Sequence, residues 1–437
     1  MDFIILSALI IQVAILSGLE IRTAGTRITP FGMLAFPYVA VVLVAFFLGP
    51  SLDFVPLNTN SLVIWMCGLF LVWLTGYFFV RVVLRAEVFR CFSQRFKAQF
   101  HSEAIAVKLS EWFAVALIPF LILNVLLSVR AAGGWSGLAS PEFKVAYSQG
   151  LSAHALVFCV PLFILLVGTA RKNSRFRLII AGILMVFFLV GQVKGGVLQP
   201  LLGGFLYRVM RGRSFMSLKN IGIVLLCGLV VFVSIYLGAM SIADSSIITN
   251  PDAYVFLGRH FSYYLIAGVL GFSEAFNSET SDVGGSSREI FGPLLNVYRK
   301  LTGSGKLVAP SSSHGRGMQV DLTAESVDAN TNVYTIFGTL YFYLGPLGSV
   351  MYVAVMGFLC YGLFLAAGWT KSEWLLVLYC YIGAQLLFGF FEFYFWHLET
   401  YEICVYTITL AGFSALAVKR SMSSPSVPLG PALFAKP

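Results

Sequence analysis

Charge is scarce in this sequence. Only 11% of its 437 residues are Asp, Glu, Lys or Arg, where a soluble domain carries about 25%. Such a chain has too little polar surface to cover itself in water, which excludes a soluble globular protein and makes lipid its solvent. In lipid only helices and closed barrels satisfy their own backbones. The short alternating segments of barrel strands are missing as well. Cysteine is present seven times, at Cys67, Cys91, Cys159, Cys227, Cys360, Cys380 and Cys404, but never as a CxxC pair. Six fall in apolar runs and Cys91 in a basic loop, so neither a metal site nor a disulfide framework is expected. No basic residue precedes the first apolar run at Phe3, so no cleavable signal is expected either. There is no internal repeat.

What the chain does have is apolar length. It is 58% hydrophobic with a mean hydropathy of +0.85, and its runs approach the ~20 residues a membrane helix needs. Spans are expected at Phe3–Leu19, Phe31–Leu48, Leu62–Val80, Trp112–Ser128, Leu151–Thr169 and Leu178–Val193. The rest are a short Val197–Tyr207, then Ile221–Met240, Gly345–Ala367, Trp374–Phe391 and Tyr401–Val418. The fold class is therefore all-α, a polytopic transmembrane helical protein of about 11 spans. Its 40 Phe, 19 Tyr and 7 Trp suit the two interfaces of such spans.

Orientation follows from Lys and Arg in the short loops. One set of alternate loops and the tail hold 20 of the 29 basic residues, which makes that side cytoplasmic, with the N-terminus out and the C-terminus in. The formal charge of +9 is thus mostly a topology signal, and nucleic acid is not an expected partner. Residues 1–240 hold the first eight spans, 241–332 form one large extracytoplasmic loop, 333–420 hold the last three spans, and 421–437 are a Ser/Pro-rich disordered tail. The large loop opens with an amphipathic segment, Tyr254–Phe276. Inserting it would move Lys419 and Arg420 outside, so it is expected to lie along the interface.

Nine cations remain on the outer side: Arg130, Lys144, Lys194, Arg259, Arg288, Arg299, Lys300, Lys306 and Arg316. Cations at a membrane surface point to an anionic, membrane-bound substrate, and phosphate on a lipid is the natural candidate. Lys194 sits in the break Gly191-Gln192-Val193-Lys194-Gly195-Gly196, where an ionisable residue is a functional candidate; the plainer alternative is a lysine snorkelling beside a helix-ending glycine. Arg259 and His260 are on the amphipathic segment, where a solvated polar face explains them equally well. His314, Arg316 and Asp321 gather within eight residues of a glycine-bearing loop that could wrap a phosphate or be merely hydrophilic. Glu392, His397, Glu399 and Glu402 cluster between the last two spans and read first as an interfacial turn. His154 reads first as a hydrogen-bonded core histidine.

The stretch Asp328-Ala-Asn330-Thr-Asn332-Val-Tyr334-Thr335-Ile-Phe-Gly338, followed by Leu340-Tyr-Phe-Tyr-Leu-Gly345-Pro-Leu-Gly348, resembles the end of the large periplasmic loop of Wzy-type O-antigen polymerases. The Gly191–Gly196 element resembles that family's earlier Gly-x-Lys/Arg-Gly element, with Lys194 as the basic residue. Arg259 stands where such proteins carry an arginine early in the loop, and the hydropathy profile is similar over nearly the whole chain. The resemblance implies a multi-pass protein of the bacterial inner membrane. It would be a metal-independent, cofactor-free glycosyltransferase of the lipid-phosphate-sugar-dependent, GT-C type. It would transfer a glycan from undecaprenyl diphosphate onto a lipid-linked repeat unit in lipopolysaccharide biosynthesis. Its partners would be that undecaprenyl-diphosphate-linked oligosaccharide, the bilayer and a chain-length regulator protein. Lys194, Arg259 and Arg316 would hold the diphosphate. Asp321, His314 or His260 would serve as base, and Asn332 and Tyr334 would orient sugar hydroxyls.

Two other activities fit the same profile. An O-antigen ligase shares the architecture and differs in its acceptor. A flippase for the same lipid-linked sugar would show midplane charges and two-fold repeats, whereas here the polar mass is one-sided.

Overall fold

The computed structural model describes residues 2–52, 54–78, 92–97, 103–171, 174–191, 194–214, 217–243, 251–276, 287–306, 308, 320–321, 330–331 and 333–423. Each apolar run identified in the sequence lies in a helix: α1 (Asp2–Ala24), α2 (Pro30–Leu48), α3 (Thr59–Phe78), α5 (Glu103–Ala131), α7 (Gly150–Thr169), α8 (Arg175–Val190), α9 (Lys194–Met210), α10 (Leu218–Ala243), α14 (Ile336–Thr370), α15 (Glu373–Leu387) and α16 (Leu398–Ser423). Seven of these, α1, α2, α3, α5, α7, α14 and α16, are long and apolar enough to cross a membrane. The protein is a polytopic helical membrane protein. Of the remaining four, α8 has 16 residues, α9 has 17 and α15 has 15, while α10 has 26.

The shorter elements are α4 (Phe92–Lys97), α6 (Pro141–Tyr147), α11 (Pro251–Glu274), α12 (Ser287–Ile290) and α13 (Gly292–Thr302). A two-residue antiparallel pair, β1 (Val320–Asp321) with β2 (Asn330–Thr331), brings Asp321 opposite Asn330.

Helix starts are marked as the sequence chemistry requires. Thr29 accepts from the Gly32 N–H ahead of Pro30, Ser140 accepts from Phe143 ahead of Pro141, and Ser372 accepts from Leu375. Thr335, in the Tyr-Thr-Ile-Phe-Gly stretch, caps α14 by accepting from Gly338 N–H at 3.1 Å and also accepts from the Trp65 indole N–H at 3.0 Å. At Gly345 the α14 backbone turns to φ 68°, ψ 176° just before Pro346, a conformation that an L side chain would strain.

α11 departs from the expected interfacial helix. From Ile266 to Ser273 every residue is buried. A Cβ at Gly268 would meet the carbonyl oxygens of Phe390 and Phe391, and one at Gly271 would meet the Thr331 methyl and the Val333 carbonyl. The apolar second half of the segment is therefore used against protein. The amphipathic element with an open apolar face is α13, where Leu294, Tyr298 and Leu301 are exposed on one stripe.

Buried arginines gather at one end of the helical bundle. There the basic loops meet: Arg211 lies 2.8 Å from Glu103 and 3.4 Å from Glu373, and Arg213 also pairs with Glu103. Tyr207 donates to Glu373. Arg208 donates to the Ala170 carbonyl at 2.8 Å, and Arg213 to that of Gly168 at 3.2 Å. Tyr361 and Thr29 both donate to the buried Glu20. The end of α7, the end of α9, the start of α5 and the start of α15 are thereby tied together, which is the arrangement expected if their loops share one side.

Candidate functional site at the opposite end of the bundle

The start of α9, the end of α15 and the start of α16 meet at the other end, around the segment 388–397. That segment leaves α15 at Phe388 and passes through the 3-10 turn Tyr394–Trp396. Its aromatic residues pack inward: Phe393 and Trp396 are buried, and the Trp396 ring meets that of Tyr343 edge-on at 5.7 Å. The turn thereby holds its polar residues at fixed positions. Glu392 Oε1 lies 3.2 Å from His397 Nε2. Burial disfavours a charged His397, but the bond and charge of Glu392 and the charge of Glu399 outweigh it, so its pKa stands above the ordinary histidine value. His154, at the start of α7, bonds Glu402 at 2.8 Å. Its side chain is 48% exposed, so it is a paired surface histidine and not a core one.

Behind this pair lies a layer of buried polar groups. Gln385 donates to the Tyr381 hydroxyl at 3.0 Å and to Thr400 at 2.7 Å, and Tyr381 lies beside Glu399. Gln385 Oε1 and Trp396 Nε1 are buried without a hydrogen-bond partner. Such groups are expensive to leave unmade, and at a binding end they are what a polar ligand or water would satisfy.

α9 and α11 both run into this segment. A Cβ at Gly195 would lie 3.3 Å from Tyr394 Cε1, which fixes the first turn of α9 against the 3-10 turn. Tyr264 of α11 stacks on Phe391 with ring centroids 5.8 Å apart. The Thr331 hydroxyl bonds the Tyr263 phenol oxygen, which carries β2, and with it β1, to the side of α11. Beside α11, Val44, Leu48, Gly49, Phe261, Ser262, Leu265 and Ile266 line an apolar cavity of about 270 Å³. Among the described residues no three His, Cys, Asp or Glu side chains converge as metal ligands would.

Residues 53–419 match the model of a family of unknown function, DUF6337. The chain belongs to that family. No curated protein and no solved structure matches it. The family's span takes in every expected site residue. Lys194 is the first residue of α9, one position from Gly195 at Tyr394. Arg259 and His260 lie on α11, four residues before Tyr263 and Tyr264 respectively. Asp321 is on β1. The backbones that carry these residues thus reach one end of the bundle. His314, Arg316 and Asn332 lie outside the described residues. Tyr334 takes a different place from the one expected: it is 3% exposed, with its ring edge-on to Phe342 at 5.3 Å, and such packing leaves it no open face toward a sugar. Sequence reasoning missed Tyr381, Gln385, Tyr394 and Trp396. None carries a formal charge, and each reads in the sequence as ordinary helix or aromatic turn.

Proposed function

We propose that this protein is a surface-polysaccharide polymerase of the O-antigen type, acting at the periplasmic face of the bacterial inner membrane. It has about 11 spans and an outward N-terminus. It transfers a growing glycan from undecaprenyl diphosphate to the non-reducing sugar of a lipid-linked repeat unit. The observation that supports this reading is that α9, which Lys194 begins, meets Tyr394 at Gly195, and α11, which carries Arg259, meets Phe391 at Tyr264, in the same turn as the Glu392–His397 pair. A glycosyl transfer from a lipid diphosphate needs both halves of that set. The bond from the anomeric carbon to the diphosphate oxygen breaks, and the departing diphosphate gains charge that Lys194, Arg259 and Arg316 stabilise. The acceptor hydroxyl forms the new glycosidic bond and gives its proton to a base. Asp321, His314 and His260 are candidates from the large loop. Glu392, held by His397, and Glu399, beside Tyr381, are candidates in the bundle itself. The apolar cavity between α2 and α11 suits the first isoprene units of the carrier.

Surface polysaccharide from a strain lacking the gene, or carrying Arg259→Ala, tests the reading. A polymerase defect leaves single repeat units on the surface core. Loss of even single-unit decoration would mean transport, and long polymer retained on carrier lipid would mean ligation.

A further inference from the structure

We infer that α13 (Gly292–Thr302) is an interfacial helix that lies in the bilayer surface at the end of the bundle away from the basic loops, and that its partner there is a membrane carrying anionic phospholipid. The inference does not depend on the polymerase reading.

The sequence builds a helix with two unlike halves. Pro293 suits its first turn, where no N–H is needed, and Gly303 ends it in the left-handed conformation at φ 65°. At about 100° per residue, Phe291, Leu294, Val297, Tyr298 and Leu301 fall on one stripe that covers about a third of the circumference. All five are exposed, Tyr298 to 62% and Leu301 to 82%. Asn296, Arg299 and Lys300 occupy the other half. The chain itself covers part of that half. Asn296 bonds the N–H and the carbonyl of Val308, both at 2.7 Å, and Arg299 donates to the Lys306 carbonyl. The open face is therefore the apolar one, and an open apolar face of this size marks a contact surface.

What covers that face follows from where it emerges. The Phe291 ring lies 6.2 Å from that of Tyr352 on α14, and Ile290, just before it, is fully buried. Tyr352 follows Val350 and Met351, which with Leu347, Val355 and Leu359 form the exposed face of α14. α14 is long and apolar enough to cross a membrane, so that face meets lipid, and the stripe of α13 continues it. Depth agrees. Nineteen residues separate Tyr352 from Lys371, the C-cap of α14 beside the Glu373–Arg211 network. At ~1.5 Å each they span about 28 Å, close to the ~30 Å of a hydrocarbon core. α13 thus begins at the level where acyl chains give way to headgroups, the level that suits the Tyr298 side chain.

The charges identify the lipid. Residues 287–306 carry Arg288, Arg299, Lys300 and Lys306 against one acid, Glu289. Lys300 and Lys306 are exposed. A helix with an apolar face in the acyl boundary and cations on its other half is held both by burial and by attraction to anionic headgroups. A second copy of α13 packed on the first would bring like charges together, so the bilayer is the better partner.

The test is amide hydrogen exchange of the full-length protein, one copy per nanodisc, in phosphatidylcholine alone and in a mixture with phosphatidylglycerol. α13 should be protected in both bilayers and more strongly in the anionic one. Tyr298→Ser with Leu301→Glu should abolish the protection in both, at unchanged melting temperature, because both side chains point away from the protein. Lys300→Glu with Lys306→Glu should keep the protection in phosphatidylcholine and erase the gain from phosphatidylglycerol, a change of about ten-fold in exchange rate. Exchange of wild-type α13 as fast as in the Tyr298/Leu301 variant would overturn the interfacial helix. Equal exchange of the wild type in the two bilayers would overturn the anionic-lipid assignment. Protection gained only in discs holding two copies would replace the membrane with self-association and overturn the proposal.

Discussion

The two ends of the helical bundle use polar residues in opposite ways. At the basic end, arginines outnumber their acidic neighbours and bind helix ends together: Arg208 donates to carbonyls, and Arg211 and Arg213 pair with Glu103 and Glu373. At the other end the acids dominate, the bases are histidines, and Gln385 Oε1 and Trp396 Nε1 are buried without a hydrogen-bond partner. The first arrangement ties the ends of four helices together, whereas the second gathers around one turn. The contrast separates architecture from chemistry in a protein whose charged residues are too few to do both at one place.

The sharpest way to break this comparison is at Arg211. Its side chain is 3% exposed and faces Glu373, which is fully buried. Arg211→Ala strands that carboxylate and should cost about 3–5 kcal/mol, seen as loss of monodisperse protein on fluorescence-detected size exclusion. Replacing both partners, as Arg211→Met with Glu373→Leu, should recover most of the loss. If the double variant is no better than the single one, the network is not a buried ion clamp.

A smaller effect is expected where α11 docks. Gly268→Ala drives a methyl group into the backbone carbonyls of Phe390 and Phe391, an overpacking typically worth about 1–3 kcal/mol. Thermal unfolding should register it, and the α11 region should lose amide-exchange protection first. Unchanged protection would detach α11 from the site.

Smaller still is the Glu392–His397 pair, whose histidine is 39% exposed; such pairs contribute under about 1 kcal/mol. Because the folded-state pKa of His397 is raised, the pair stabilises fully below the ordinary histidine value of about 6.5 and is lost as pH rises through the raised value. The gap in melting temperature between wild type and His397→Gln should therefore be widest in mild acid and close toward alkaline pH. A gap that widens with pH would reverse the assignment.

The helices were legible in the sequence because lipid leaves the backbone no alternative: every apolar run lies in a helix. The break before Lys194 was legible for the same reason, as glycines interrupt a run. What was not legible depends on partners far away in the chain. Glu373 follows the cap Ser372 and reads as an ordinary first-turn carboxylate, yet its partners Tyr207 and Arg211 lie more than 160 residues earlier. The α11 segment shows an amphipathic first half, and only the contacts of Gly268 and Gly271 reveal that its second half is buried. Tyr394 and Trp396 sit in the aromatic-rich run Phe-Glu-Phe-Tyr-Phe-Trp, where hydropathy cannot say which rings pack and which face a ligand.

The central claim is that this protein lengthens glycans at the end of the bundle away from its basic loops. Purified protein in nanodiscs, given undecaprenyl-diphosphate-linked repeat units without nucleotide, tests it most directly. Wild type should yield a ladder of longer products. Lys194→Ala should slow it by about one to two orders of magnitude, the loss of one contact that strengthens as the leaving group gains charge. No ladder from correctly folded protein across several repeat-unit preparations, or a ladder indifferent to Lys194→Ala and Glu392→Gln alike, would contradict the account.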